Sequence, residues 1–449
     1  MKNENHGLSA FSLTMLALGT VVGGSFFLGS SIAIRAAGPA VIISYLLGGA
    51  LVYFILFALS EMTVADPASG SFRAFSQKAF GPGVGFVVGW VYWTGLVLAM
   101  SSEAIAVSLL LRIWFPQISV ALLGSVIIVL TTLVNLLGAD RLSKLESGLA
   151  AVKLLAIVGF IVLGTILIAG FIPERPPIGL GELRNESLFP GGLGGIAGSM
   201  LIVMFTYAGF EIIGLAASET SNPHKTIPRA ITYTVLSLVG LYTIAVGILL
   251  PLVPTGSLTQ ESSPMVEALE LGGMGWAANA INIILVTAVL STMLAATFGL
   301  GRMIRSLADE GHAPVWLKDT EGIPYKGIVF SGLAMLSGMA LGFVLPRHVY
   351  IFLVSSGGFA LLFTYTVILA THYKFRKNKG CPPEGRCQLP GFPYTSWIAL
   401  ILTAAIIFSM PLVPGQEAGL LAGFLLVGFY CISYVLLRYY RRASKRIIS

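Results

Sequence analysis

Long apolar segments recur along the whole chain, and they restrict it to a membrane. Hydropathy and turn signals place twelve of them near residues 9–36, 38–65, 84–114, 118–138, 147–172, 193–217, 229–253, 277–306, 327–345, 348–372, 393–413 and 418–437. A helix needs roughly 20 apolar residues to cross the hydrocarbon layer. The chain has 449 residues, of which 56% are hydrophobic and 10% charged. We therefore predict an all-α polytopic membrane protein with twelve transmembrane helices.

Basic residues are unevenly distributed between the two sides of these predicted spans. With a cytoplasmic N-terminus, 21 Lys and Arg residues fall on the cytoplasmic side and 5 on the outer side. This asymmetry follows the positive-inside rule and predicts a plasma-membrane protein with both termini in the cytoplasm. The net charge of +7 is then explained by topology and by contact with anionic lipid, rather than by binding to nucleic acid.

Glycine and polar residues interrupt the first and the sixth apolar segments. The first contains Gly-Thr-Val-Val-Gly-Gly-Ser at 19–25, and the sixth contains Phe-Thr-Tyr-Ala-Gly-Phe-Glu at 205–211. Backbone groups freed by a helix break cannot face lipid, so they line a cavity or bind a ligand. Broken helices of this kind surround the substrate in secondary transporters. In the alternative interpretation, the small residues only allow close helix packing.

The two breaks also predict an internal repeat. Each break lies in the first span of a set of five, at 9–172 and at 193–372, and two further spans follow at 393–437. An odd number of spans per set gives the two copies opposite orientations, which is the inverted arrangement associated with alternating access. We expect residues 1–449 to form a single membrane transport domain.

The chemistry of the breaks fits an α-amino acid. Free amides of the half-helix after the first break can bind a carboxylate, and carbonyls freed at the second break can accept from an ammonium group. An aromatic ring beside a break can close over the ligand, although such rings more often serve in packing. The predicted substrate-binding residues at the breaks are Val22, Gly23, Gly24, Ser25, Phe205, Thr206, Tyr207, Ala208 and Gly209.

Ionisable residues inside predicted spans are costly and point to function. Lys153 lies in the fifth span and Glu211 beside the second break, and we predict that both take part in proton coupling. Lys153 either exchanges a proton or acts as a fixed cation, and its alternative is to snorkel to the surface. Glu103 is a further acidic residue within a span. Glu61 and Glu219 lie near cytoplasmic span ends and are expected to make gate or loop contacts.

Signatures of enzymes and of pumps driven by ATP are absent from the sequence. There is no phosphate-binding loop and no cluster of histidines within the spans that would bind a metal. We predict no enzymatic activity, no cofactor and no obligatory protein partner. The expected partners are an amino acid, protons and membrane lipid. Cys381, Cys387 and Cys431 fall in or beside predicted cytoplasmic regions, where thiols stay reduced, and a metal site at the first two is the alternative.

Four stretches resemble the amino acid–polyamine–organocation superfamily and, within it, the bacterial amino acid permeases. They are residues 19–31, residues 66–72 with 81–93, residues 205–230 and residues 302–314. The resemblance implies a LeuT-type fold of five plus five inverted helices. It also implies that the substrate carboxylate binds amides near Gly24 and Ser25, that Glu211 senses protons, and that Lys153 replaces a sodium ion.

Three positions bear on the side chain of the substrate. Compared with the arginine-exchanging relatives that it resembles, this chain has Met100 at a polar position, Ala296 at an aromatic one and Phe205 at a tryptophan. These residues cannot hydrogen-bond a guanidinium, so we expect import of neutral, apolar amino acids by proton symport. The alternatives are an exchanger, or a permease for cationic amino acids or polyamines, which an acidic pocket residue such as Glu103 would favour. A non-transporting nutrient receptor is a further alternative.

Overall fold

The computed structural model describes residues 9–66, 72–137, 139–171, 176–211, 213, 220, 222–259, 262–319, 323–344, 349–381 and 388–448, and no β-strand occurs among them. Its α-helices, in chain order, are α1 (Ala10–Val21), α2 (Gly24–Phe27), α3 (Ser30–Ala37), α4 (Val41–Ala65), α5 (Phe72–Phe80), α6 (Pro82–Leu111), α7 (Val120–Asn135), α8 (Ala139–Ala169), α9 (Gly192–Thr206), α10 (Pro223–Leu249), α11 (Pro264–Leu271), α12 (Gly275–Asp309), α13 (Tyr325–Val344), α14 (Val349–Lys379), α15 (Tyr394–Ser409) and α16 (Glu417–Ile448).

The length and composition of these helices agree with a polytopic membrane protein. Within the described residues, eight helical segments are long and apolar enough to cross a membrane, and four shorter apolar helices accompany them. The shorter ones include α1 and α9, each of which ends at a predicted break. The count of twelve spans stays a prediction.

Helix α6 lies at the centre of the packing. Its most extensive contacts are with α14 and α12, and α7 and α13 also pack against it. On either side of this core, α1 packs against α8 and α10, while α9 packs against α4 and α14. The two interrupted segments, α1–α3 and α9 with the residues after it, therefore lie inside the helix assembly, where freed backbone groups are shielded from lipid.

Both helix interruptions occur where the sequence predicts them. Helix α1 ends at Val21 and α2 begins at Gly24, with extended backbone at Gly23 (φ −147°, ψ −167°). Helix α9 ends at Thr206, and Gly209 then adopts φ +104°. Glycine is favoured at that backbone conformation because a Cβ atom would be strained there.

Glu61 makes the loop contacts expected of it. Its carboxylate is fully buried and accepts from His372 Nε2 at 2.7 Å and from Arg376 at 3.0 Å. The backbone amides of residues 388 and 389 also donate to it, at 2.6 and 2.7 Å. Glu61 thus joins α4 to the end of α14 and to the loop before α15. Glu219 lies outside the described residues.

The expectation of reduced cysteines is wrong for one of the three. Cys381 is disulfide-bonded, Cys431 is free and exposed, and Cys387 lies outside the described residues. The prediction relied on the cellular compartment alone, whereas pairing depends on which thiol lies next to each cysteine in the fold.

Candidate functional site

A compact internal cavity lies between the two helix breaks, and we call it the central cavity. Its volume is about 90 Å³. Seven of the predicted site residues line it, namely Ser25, Met100, Phe205, Ala208, Gly209, Glu211 and Ala296. The remaining lining residues are Thr20, Val21, Tyr92, Leu96, Ala99, Glu103, Thr292, Ala295, Gly299 and Leu361. Most of these side chains are apolar, so the polar groups of the cavity come from the breaks and from a few side chains.

At the first break, the freed amides donate to a carboxylate from another helix. Gly24 N lies 2.8 Å from Glu103 Oε2, and Ser25 N lies 3.0 Å from Glu103 Oε1. Glu103 belongs to α6 and its side chain is 3% exposed. A Cβ atom on Gly24 would overlap Oε2 of this carboxylate. The absence of a side chain at residue 24 is therefore what allows an anion to approach these amides so closely.

Lys153 binds the opposite side of the same break. Its Nζ atom donates to Gly19 O at 2.5 Å and to Thr292 Oγ1 at 2.8 Å. Thr292 Oγ1 in turn lies 3.1 Å from Val22 O. Lys153 is fully buried and points inward, so the snorkelling alternative is wrong. The ammonium group ties α8 and α12 to the carbonyl end of α1.

At the second break, Glu211 is held by three donors. Tyr92 Oη lies 2.9 Å from its Oε1 atom, and Tyr365 Oη lies 3.3 Å from Oε2. The amide of Gly209 also donates to Oε2, at 3.1 Å. These bonds connect the second break to α6 and α14. Because Tyr92 and Glu211 both line the central cavity, the cluster closes one side of it.

The two breaks approach each other closely at Gly209 and Thr20. A Cβ atom on Gly209 would lie 3.2 Å from Thr20 O, and both residues line the central cavity. Backbone segments of both breaks therefore border one small volume. Such an arrangement can bind a carboxylate and an ammonium group that belong to the same small molecule.

The other predicted site residues do not line the central cavity. Val22, Gly23 and Gly24 form the backbone of the first break, between the end of α1 and the start of α2. Thr206 Oγ1 bonds to Val203 O of its own helix. Tyr207 Oη donates to Tyr45 O at 3.0 Å, and its ring packs against those of Tyr45 and Tyr242. The side chains of Thr206 and Tyr207 thus stabilise the surroundings of the break.

Three polar lining residues matter more than the sequence indicates. Tyr92 and Thr292 carry no local signal, because a single tyrosine or threonine in an apolar span usually serves in packing. Glu103 stands out as a buried carboxylate, but its partners Gly24 and Ser25 are almost 80 residues away along the chain. Such pairs become visible only when the helices are placed next to each other.

Comparisons with known proteins agree on one family. The amino acid permease family model matches residues 12–444. The gamma-aminobutyric acid permease of Bacillus subtilis is 32% identical over 431 residues, covering 95% of this chain and 92% of the relative. A probable GABA permease of Pseudomonas aeruginosa is 34% identical over 432 residues, covering 94% of this chain and 90% of the relative. The aromatic amino acid transport protein AroP of Escherichia coli O6:H1 is 31% identical over 429 residues, covering 93% of each. The chain belongs to the amino acid permease family, whose members are transporters rather than enzymes.

Proposed function

We propose that this permease imports neutral amino acids by proton symport across the plasma membrane. The observation that carries the proposal is the central cavity, in which an apolar lining lies between two helix breaks that offer backbone donors and acceptors. The carboxylate of the substrate binds the amides of Gly24 and Ser25. Its ammonium group binds carbonyls freed at the breaks, and Phe205 closes over the ligand. The excess of Lys and Arg on one side of the predicted spans supports cytoplasmic termini.

Alternating access is supported by the way in which the helices pack. The contact between α1 and α8 has a counterpart in the contact between α9 and α14. The contact between α6 and α14 has a counterpart in the contact between α12 and α8. Helix α4 packs against α9 as α10 packs against α1. Each contact is converted into its counterpart when the helices of residues 9–172 are replaced by the equivalent helices of residues 193–372, and the reverse. This is the relation expected of two inverted repeats around a central site.

The choice of a neutral substrate rests on the cavity lining. Its side-chain surface comes largely from apolar residues of α6, α12 and α14, among them Met100, Ala296 and Leu361. An unpaired guanidinium or second ammonium group would be costly against such a lining. Glu103, which would favour a cationic substrate, accepts from two backbone amides in this structure, so its carboxylate is released only when these amides receive another acceptor. The relatives are named for γ-aminobutyric and aromatic amino acids, and both kinds are zwitterions without net charge.

Proton coupling is assigned to Lys153 and Glu211. Lys153 joins the first break to α8 and α12, and Glu211 joins the second break to α6 and α14. A change of charge at either residue would alter the hydrogen bonds between an interrupted segment and its neighbours. Each residue is therefore placed to link protonation to a movement of the breaks.

A binding experiment tests the proposed substrate class. Ligands that bind only the folded state raise the melting temperature. We expect small and medium neutral amino acids to stabilise the purified protein in detergent, while the matched carboxamide and amine analogues with the same side chain do not. Stabilisation by arginine, lysine or polyamines, without any effect of neutral amino acids, would contradict the proposal.

Met100→Asn tests whether this residue contacts the substrate side chain. An amide left without partners against an aliphatic substrate costs about 1–2 kcal/mol, so KM for that substrate should rise about five- to thirtyfold. Met100→Leu, which keeps the apolar surface, should stay close to the wild type. Uptake is measured in proteoliposomes with several substrates in competition. An unchanged order of substrates in the asparagine variant would show that Met100 does not line the binding site.

A further inference from the structure

The Glu103 carboxylate is bound where the proposed substrate places its own carboxylate. Both oxygens are used, one on Gly24 N and one on Ser25 N, at 2.8 and 3.0 Å. We infer that Glu103 is an internal substitute for the substrate carboxylate, which holds the amides of the first break whenever the transporter moves without cargo. The inference rests on the proposed function and adds a role for α6 within it.

The first break needs an acceptor in every closed state. Gly24 and Ser25 are buried, and Ser25 is 8% exposed. A buried amide without a partner is costly, and water cannot reach the amides while the site is closed on both sides. Glu103 provides both bonds from within the protein. A symporter must return unloaded after each delivery, so it requires such an acceptor, whereas an exchanger always returns with cargo.

Binding of the substrate must displace Glu103, because each amide has one hydrogen to donate. The displaced carboxylate stays in the central cavity, which Glu103 lines together with Met100 and Phe205. A buried carboxylate needs hydrogen-bond donors or an opposite charge, and the displaced Glu103 has lost its two amide donors. The substrate brings its own ammonium group into the same volume, so an arriving zwitterion replaces one carboxylate and neutralises the other. The net charge of the closed site is therefore the same with and without cargo.

This role explains why an acidic residue in the cavity need not select a cationic substrate. In a permease for cations, the carboxylate would bind the side chain of the substrate. Here it binds the backbone of the break when no cargo is present, and once displaced it is matched by the ammonium group that every zwitterionic substrate carries. Lys153 is held on the far side of the same break by Gly19 O and Thr292 Oγ1, so both charged partners of the first break belong to the protein.

Comparison of net uptake with exchange tests the inference. Full-length wild type, Glu103→Ala and Glu103→Gln are reconstituted in liposomes and measured at saturating neutral amino acid. Net uptake is followed into vesicles without internal amino acid under an inward proton gradient, and exchange is followed into vesicles preloaded with it. Ser102→Ala is the matched control, because within the part of the chain that the structure describes its hydroxyl bonds only to Ala99 O of the same helix.

We expect Glu103→Ala to keep exchange within about threefold of the wild type and to lose net uptake by about tenfold or more, since only the unloaded return lacks an acceptor. Glu103→Gln keeps one acceptor oxygen, so its net uptake should fall between those of the wild type and Glu103→Ala. Ser102→Ala should match the wild type. If the alanine variant does not fold, the nearly isosteric glutamine variant is judged by the same ratio of exchange to net uptake.

Three results would overturn the inference. They are an equal loss of both activities in a variant that melts like the wild type, no loss of either activity, and a wild type that exchanges but shows no net uptake, the last of which also contradicts proton symport. A wild type that moves no neutral amino acid in either assay would instead contradict the proposed function, before the role of Glu103 is reached.

Discussion

Replacing Lys153 by alanine should abolish accumulation driven by a proton gradient while substrate binding survives. The substitution removes a fully buried cation that donates to Gly19 O and Thr292 Oγ1. Each hydrogen bond to a charged group contributes about 1.5–3 kcal/mol, so the link between α8 and the first break is lost. The amides of Gly24 and Ser25, which we propose bind the substrate, lie on the other side of that break and are retained.

The measurement is the ratio of internal to external amino acid in proteoliposomes with and without an inward proton gradient. The ratio should fall to about one in Lys153→Ala at any gradient, because nothing then couples the break to the proton. Lys153→Arg separates the two roles considered for this residue. Arginine keeps the cation but does not release its proton, so accumulation in this variant would identify a fixed cation rather than a proton carrier. Full accumulation in Lys153→Ala would remove the residue from coupling altogether.

Gly24→Val should eliminate substrate binding. A Cβ atom at residue 24 would overlap the carboxylate oxygen bound there and would lie 3.1 Å from Val289 Cγ2. Crowding of a packed site costs about 1–3 kcal/mol, and loss of the amide bonds adds about 1–3 kcal/mol more. Together they amount to about 2–6 kcal/mol, which corresponds to a fall in affinity of about thirtyfold to ten-thousandfold or more.

Ligand-dependent melting of the purified variant measures this loss. Gly240→Val is the matched control, because a Cβ atom at residue 240 meets nothing within 4 Å. The control should bind like the wild type. If Gly24→Val keeps its affinity, the first break serves only to let helices pack closely, which is the alternative that the glycine-rich sequence leaves open.

The fold was predictable to the extent that its signals are local. Apolar segments of membrane-spanning length are recognisable from composition, and the interruptions at residues 19–25 and 205–211 are visible because glycine and polar residues are out of place there. The site was predictable where residues project from regular helix. Met100 and Ala296 lie on intact helices and line the central cavity, while their contact with a substrate stays a prediction.

The sequence did not indicate contacts that depend on neighbours distant along the chain. Tyr207 follows the end of α9, where helical periodicity no longer gives the direction of a side chain, and its ring packs against Tyr45 instead of the cavity. Tyr92 is bonded to Glu211 across 119 residues, and no property of either segment alone indicates the pair. The role of Glu103 depends in the same way on the relative position of α6 and the first break.

Uptake of amino acids by the purified protein in liposomes tests the central claim most directly. Each common amino acid is supplied at equal concentration, with and without an inward proton gradient, to vesicles that contain no amino acid. The account predicts accumulation of neutral amino acids above the external concentration, and only under the gradient. Uptake that ignores the gradient and requires amino acid inside the vesicles would contradict it, and would identify the protein as an exchanger.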